Sequence, residues 1–324
     1  MPGKIADGAW IVGILWQNDG LFFTEMMIHG MDKRSFLKLA MGTARFGLDY
    51  GIGAEQKKVD AAQVFELLAR AAMEGLDVID TAHEYGDSER IIGSFLTSHH
   101  TKPRIVSKLP PCGHGQVTAF LEASLKNLGV NALYGYLIHR FDSYQADPLV
   151  WDELCRLKAK GKVGKIGFSL YYPRELEKLL NEGVRFDLVQ IPVSILDQRF
   201  LPYLERLKAR GVEVHARSIF LQGLLLKRPE DVPLPLQGVV SRLSDLRKMS
   251  QQEGVPLEVF CLLFVALNAC IDKVVVGMGS PRHFESNIRA FSFEGTVRRR
   301  YEHLLALRED DENVIVPSRW NLTV

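Results

Sequence analysis

From about Leu37 onward, apolar residues fall into two alternating patterns along this chain. Short continuous runs rich in Val and Ile read as strands buried on both faces. They are Leu37–Thr43, Val78–Asp80, Arg104–Lys108, Leu133–His139, Lys165–Ser169, Leu188–Pro192, Glu213–Arg217 and Lys273–Val276, eight in all. Between them, apolar residues recur at three- and four-residue spacing, the period of a helix with one buried stripe. Ala61–Gly75 is one such segment, with Val64, Leu67, Leu68 and Ala71 on its stripe. Val117–Leu128, Pro148–Lys160, Arg174–Glu182, Leu201–Arg210 and Arg282–Ala290 repeat the scheme. Gly75, Gly129, Gly161, Gly183 and Gly211 each stand where a helix must stop before the next strand. That position favours a left-handed backbone and therefore glycine.

Strict β-α alternation implies a parallel sheet, and eight units match the number that closes a barrel. The expected fold class is α/β, a single (β/α)8 TIM barrel over 35–324, with an N-terminal extension over 1–34 and a C-terminal helix. An open doubly wound sheet would place GxGxxG after the first strand. Gly42-Thr43-Ala44-Arg45-Phe46-Gly47 has the wrong spacing. The Pro- and Leu-rich stretch Leu221–Gln237 reads as a long loop over the barrel mouth, and Val297–Arg308 as the terminal helix. The extension holds one brief apolar run, Trp10–Trp16, and reads as a hairpin or a poorly ordered tail with little bearing on function.

Composition narrows the function. The 324 residues carry 40 basic and 39 acidic side chains, which removes the electrostatic footprint of a nucleic-acid binder. No apolar run approaches the roughly 18–20 residues of a membrane span, and Val259–Ala269 is short enough to be a core helix. Lys4 is the only early base and Asp7 offsets it, so no signal peptide is read and the expected location is cytoplasmic. Cys112, Cys155, Cys261 and Cys270 form no CxxC pair, so neither a disulfide framework nor a zinc site is expected, and the cysteines read as small buried hydrophobes. No metal is expected at all, and a monomer is the default.

In a barrel of this kind the active site lies at the C-terminal ends of the strands. Asp80 ends the second strand, Lys108 the third and His139 the fourth, and Tyr85 follows just after Asp80. Each has an ordinary reading alone: a helix cap, a solvated ammonium, a core histidine, a packing phenol. Together they face one funnel. A phenol is a poor acid near neutral pH, and a neighbouring ammonium lowers its pKa. Lys108 is placed to do this for Tyr85, with Asp80 orienting Lys108 and His139 hydrogen-bonding a substrate carbonyl. The set amounts to a general acid poised for carbonyl reduction or the reverse oxidation. No side chain delivers a hydride, so such a scheme needs a nicotinamide cofactor.

The run Asp80-Thr81-Ala82-His83-Glu84-Tyr85-Gly86-Asp87-Ser88-Glu89 resembles the DTAxxYGxSE signature of the aldo-keto reductases. The resemblance continues through Lys108, His139, Lys162–Ser169, Gln190 and Gln222-Gly223-Leu224-Leu225, and covers roughly Leu37 to Phe291. It implies a (β/α)8 barrel and a catalytic tetrad at Asp80, Tyr85, Lys108 and His139. It also implies that Ser169 and Gln190 bind the nicotinamide carboxamide, although Leu170 stands where the family usually has Asn. Where many members stack the nicotinamide on Tyr, this chain has Arg217, followed by Ser218. The run from Gly277 to Asn287 resembles the adenosine-phosphate site, with Ser280, Arg282 and His283 near the phosphate; the usual base aligns with His283 and the usual Glu with Ser286. Gly42, Thr43 and Gly223 complete the expected cofactor contacts. NADP is expected in preference to NAD.

The expected activity is NAD(P)H-dependent interconversion of a small aldehyde or ketone and its alcohol. Two rivals are a nicotinamide-binding regulatory or partner-binding subunit with little turnover, and an unrelated barrel lyase or metal-dependent isomerase. The latter would want acidic or His ligands at strand ends five to seven, where Ser169, Gln190 and Arg217 stand. Tyr171, Tyr172, Phe141, Phe220 and Trp151 are candidate pocket walls, each equally suited to packing between helices.

Overall fold

The computed structural model describes residues 36–52 and 57–320, so the expected extension over 1–34 lies outside the described residues. Eight parallel strands close on themselves in chain order, the first pairing with the eighth. They are β1 (Leu39–Gly42), β2 (Val78–Asp80), β3 (Arg104–Leu109), β4 (Leu133–Ile138), β5 (Val163–Ser169), β6 (Leu188–Pro192), β7 (Glu213–Arg217) and β8 (Lys273–Gly277). The surrounding helices are α1 (Ala61–Met73), α2 (Ser88–His99), α3 (Val117–Leu128), α4 (Leu149–Ala159), α5 (Pro173–Asn181), α6 (Leu204–Ala209), α7 (Val240–Glu253), α8 (Leu257–Ala266), α9 (Pro281–Ala290) and α10 (Glu294–Leu305). Helix α1 starts at Asp60, whose carboxylate accepts from the Ala62 N–H at 2.8 Å, and buries Val64, Leu67, Leu68 and Ala71. The five glycines that close helices all have positive φ, between 65° and 80°.

Two helices escape the periodicity. Helix α2 is rich in Ser and carries Gly93 in its interior, which weakens its propensity. Gly93 is there because a Cβ would fall 2.1 Å from the Asn127 carbonyl oxygen on α3. Helix α7 buries only Leu243 and Leu246, too narrow a stripe to stand out. The Leu221–Gln237 stretch forms short 3-10 turns over Leu221–Leu226, Pro229–Asp231 and Leu234–Val239. All four cysteines are free, but only Cys261 is fully buried, and Cys155 is exposed.

Within the barrel, Ala40, Val78, Val106, Leu137 and Leu188 make a dry layer. Below it, at the N-terminal strand ends, charges meet in pairs. Lys273 Nζ lies 2.8 Å from Asp77 Oδ1, Arg104 pairs with Asp77, Lys165 pairs with Glu213, and His215 Nε2 lies 2.7 Å from Glu213 Oε1. The opposite, C-terminal end keeps polar side chains whose hydrogen-bonding capacity is not used up, as described below.

The loop that carries Tyr85 is fixed by a close backbone crossing. A Cβ on Gly47 would lie 1.7 Å from the Tyr85 carbonyl oxygen, and one on Gly86 would lie 2.7 Å from the Gly47 oxygen. Gly86 also has φ of +55°. Gly47→Ala therefore pushes on Tyr85 directly. Overpacking of this kind costs about 1–3 kcal/mol. We expect lower stability in urea unfolding and a loss of turnover that exceeds any loss of cofactor affinity. Unchanged stability and turnover would show that the crossing is not constraining.

Candidate active site

The strand register brings the expected site residues together. Gly42 pairs with both Asp80 and Gly277, Lys108 with Leu137, Ser169 with Gln190, and Pro192 with Arg217. His139 prolongs the β3–β4 ladder by donating its N–H to Leu109 O at 3.0 Å. The Tyr85 loop is tied to β3 by the Thr81 N–H, which donates to Val106 O at 2.8 Å.

Lys108 is 1% exposed. Its ammonium donates to Asp80 Oδ1 at 2.7 Å and to the Thr81 carbonyl at 2.9 Å, and lies 5.0 Å from the centroid of the Tyr85 ring. Burial lowers its pKa, and the Asp80 charge opposes that shift. The second Asp80 oxygen accepts from Gln190 Nε2 at 2.6 Å. Gln190, expected to contact cofactor, thus braces Asp80 with its amide nitrogen.

Tyr85 corrects one expectation. Its phenol pKa is raised well above the ordinary value, by burial first and then by the negative charge of Asp80. The anticipated net lowering is not met: burial, reinforced by the Asp80 charge, raises the phenol pKa. Arg217 pulls weakly in the lowering direction. The Tyr85 hydroxyl makes no hydrogen bond to any described residue, and neither does that of Ser169. Both are left to whatever occupies the pocket.

The serine and glutamate of the signature are structural. Ser88 Oγ donates to Thr43 Oγ1 at 2.9 Å and lies 3.0 Å from Thr81 Oγ1. Thr43 Oγ1 in turn donates to Asp80 O at 2.9 Å. Thr43 is fully buried, and its N–H donates to Asp80 O at 3.0 Å, so it braces the loop and is not open to a ligand. Glu89, 2% exposed, accepts from Ser107 at 2.7 Å and Asn127 at 3.3 Å, tying the loop to β3 and α3.

Arg217 is half-buried, its guanidinium 4.2 Å from the Tyr171 ring centroid and donating to Leu170 O at 2.9 Å. The Leu170 side chain is fully buried and offers the pocket no polar group. Ser218, Leu221, Gln222 and Gly223 all have positive φ, from 44° to 96°. Such backbone conformations in non-glycine residues cost of order 1–3 kcal/mol each and cluster at ligand-binding segments. The Ile52 N–H pins this loop by donating to Gln222 O at 2.9 Å. Of the candidate walls, Trp151 stacks on Phe168 at 4.8 Å and Phe141 packs between Tyr144 and Phe168, so both are core. Tyr171 is a wall.

After β8, Ser280 caps α9 by accepting from the His283 N–H at 3.3 Å, and Pro281 opens the helix. The Arg45 guanidinium presses on Gly279, where a Cβ would meet it at 2.6 Å. Partial burial, then the charges of Arg45 and Arg282, lower the His283 pKa. Arg45 and Arg282, rather than His283, supply the fixed positive charge here. A helix N-terminus beside guanidinium groups suits a phosphate. Gly277 leaves open space, with nothing within 4 Å of a built Cβ, while Asn287 is buried at 8% exposure.

Sequence reasoning missed Glu84, whose Oε2 lies 2.7 Å from His139 Nδ1, and Arg45. Glu84 occupies a variable place in the signature, and Arg45 acts across 234 positions of chain, so neither leaves a local pattern. Among the described residues no cluster of three His, Cys, Asp or Glu side chains could hold a metal ion. No helix among them is long and apolar enough to cross a membrane.

Breaking a buried ion pair on one side costs about 3–5 kcal/mol. Lys108→Met should lose that much stability in urea unfolding, and Asp80→Asn combined with Lys108→Met should regain a large part. Additive losses would contradict the pairing.

A sequence profile of the Aldo/keto reductase family matches residues 38–299. The chain is 26% identical over 292 residues to a chloroplastic pyridoxal reductase of Arabidopsis thaliana, covering 78% of each. It is 33% identical over 150 residues to a methylglyoxal reductase of Escherichia coli, covering 45% of this chain and 49% of that one. An aldo-keto reductase from Bacillus halodurans, solved in its holo form, shares the fold with a TM-score of 0.68 at 18% identity, covering 86% of this chain and 95% of that one. With the eight-stranded barrel and the signature loop in place, these matches identify the chain as a member of the aldo/keto reductase family of oxidoreductases.

Proposed function

We propose that the protein reduces small aldehydes or ketones to alcohols with NADPH, and runs the reverse oxidation, with Tyr85 as the general acid. The observation that carries this reading is the unpartnered Tyr85 hydroxyl beside a buried ammonium that Asp80 and Gln190 hold in place. A protein that only bound a dinucleotide would have no use for a desolvated Lys108–Asp80 pair. The residues present fit the dinucleotide: Arg45, Arg282 and the α9 N-terminus suit its phosphates. The Ser169 hydroxyl, the Gly277 opening and the strained Ser218–Gly223 loop line the inner reach. Arg217 offers a planar cation to the same region.

A bound nicotinamide supplies the hydride. Tyr85 gives its proton to the substrate oxygen, and His139 and Tyr85 together orient that oxygen. The raised phenol pKa keeps Tyr85 protonated throughout the neutral range. Transfer remains downhill because an alkoxide is a far stronger base than a phenolate. Lys108 stabilises the phenolate that forms, at a distance fixed beforehand.

General acids contribute about 100- to 10,000-fold. Tyr85→Phe should therefore lose about that much turnover while keeping NADPH affinity, read by fluorescence titration. Retained turnover would sink the assignment. Since the phenol pKa is raised, reduction should lose its acid only above the ordinary tyrosine range, and alcohol oxidation, which needs the phenolate, should rise with pH. For the phosphate site, Arg45→Ala and Arg282→Ala should weaken NADPH binding more than NADH binding. Equal losses would mean that these residues do not read the 2′-phosphate.

A further inference from the structure

Two cations reach the inner pocket from strand ends. Lys108 is paired with Asp80 at 2.7 Å. Arg217, at the end of β7, pairs with no acidic side chain among the described residues. Its guanidinium commits two N–H groups, to Leu170 O at 2.9 Å and to Ser218 Oγ at 3.2 Å, and lies 4.2 Å from the Tyr171 ring centroid. Tyr171 is held in turn: its N–H donates to Glu175 Oε2 at 2.7 Å, and its carbonyl accepts from Arg199 at 3.3 Å. The carboxylates behind it are taken, Glu175 by the Tyr171 and Tyr172 N–H groups and Asp197 by Arg199. A guanidinium does not lose its proton in a protein. The charge of Arg217 is therefore fixed in place and is not cancelled by a neighbour.

That charge reaches the reacting groups. Burial governs the proton affinity of Tyr85, Lys108, His139 and Tyr50, and beside it Arg217 acts on all four in the lowering direction. Hydride transfer requires the nicotinamide ring in contact with the carbon whose oxygen Tyr85 protonates. A bound ring therefore enters the same field. The ring is neutral in NADPH and positively charged in NADP+. A tyrosine at position 217 would offer a π face, which attracts a cation. Arginine reverses that preference.

We propose that Arg217 is a specificity-determining residue for the redox state of the cofactor, repelling the charged ring of NADP+ so that NADPH is held the more tightly. This rests on the assignment of a nicotinamide cofactor to the site. Two like charges in one half-exposed pocket, at the effective dielectric near a protein surface, correspond to about a 10- to 100-fold difference in binding. At equal concentrations NADPH then displaces spent NADP+ from the barrel mouth.

Isothermal titration calorimetry with NADPH, NADP+ and 2′-phospho-ADP-ribose, which lacks the nicotinamide, tests this without turnover. The wild-type protein should bind NADPH about 10- to 100-fold more tightly than NADP+. Equal affinities, or tighter NADP+, would overturn the proposal whatever the variants do. Arg217→Gln keeps a planar amide but no charge, so the ratio of the two affinities should fall by that factor while 2′-phospho-ADP-ribose binds as before. Arg217→Lys should keep most of the gap. An unchanged ratio in Arg217→Gln would overturn the proposal, as would a ratio lost as fully in Arg217→Lys. An equal loss for all three ligands in Arg217→Gln would also overturn it, by assigning Arg217 to the phosphates. Failure of all three to bind the wild-type protein would remove the cofactor assignment and this inference together, whereas binding without a gap removes this inference alone.

Discussion

A buried ammonium has no water to share its charge with, and the barrel mouth is arranged around how Lys108 meets that requirement. Asp80 answers it at 2.7 Å and the Thr81 carbonyl at 2.9 Å. Asp80 must then be held itself, which Gln190 does from the far side of the barrel. Three strand ends are thereby locked to one another through side chains. The Tyr85 loop hangs from the same point, with its backbone pinned against Gly47 and its flank stitched by Ser88 and Glu89.

The two ends of the barrel differ in what they leave unspent. At the N-terminal end the acids around Asp77 and Glu213 are paired with bases, and Glu213 is pushed strongly toward its charged form by His215, Lys165 and Tyr134 despite its burial. At the C-terminal end, polar groups remain without protein partners: the Tyr85 and Ser169 hydroxyls and one nitrogen of His139. Buried polar atoms without partners also occur elsewhere, among them Tyr136 Oη and His215 Nδ1, so it is the position of these groups at the C-terminal strand ends that marks the pocket. The strained Ser218–Gly223 loop and the positive cluster of Arg45 and Arg282 extend that pocket toward a phosphate-bearing ligand.

Much of this was legible in the chain. Parallel strands buried on both faces read as continuous apolar runs, so all eight strands were placed within a few residues, and helix-stopping glycines marked the return points. Asp80, Tyr85, Lys108 and His139 were found because strand ends have a known functional side. Relations between elements were not legible. The sign of the Tyr85 pKa shift depends on burial and on the nearby Asp80 charge, and neither is written in spacing. Glu84 and Arg45 act across loops, and Gln190 spends its amide nitrogen on Asp80. Helix α2 was missed because tight contact with α3 requires Gly93 and so weakens the pattern.

The central claim is that burial, with the Asp80 charge beside it, leaves Tyr85 a protonated acid. Alkaline titration of the phenolate absorbance, as the difference between wild type and Tyr85→Phe, isolates this one tyrosine. The account predicts ionisation above the range of ordinary tyrosines in the ligand-free protein, and a shift to lower pH when Asp80→Asn removes the opposing charge. Ionisation of Tyr85 below that range in the wild-type protein would contradict it.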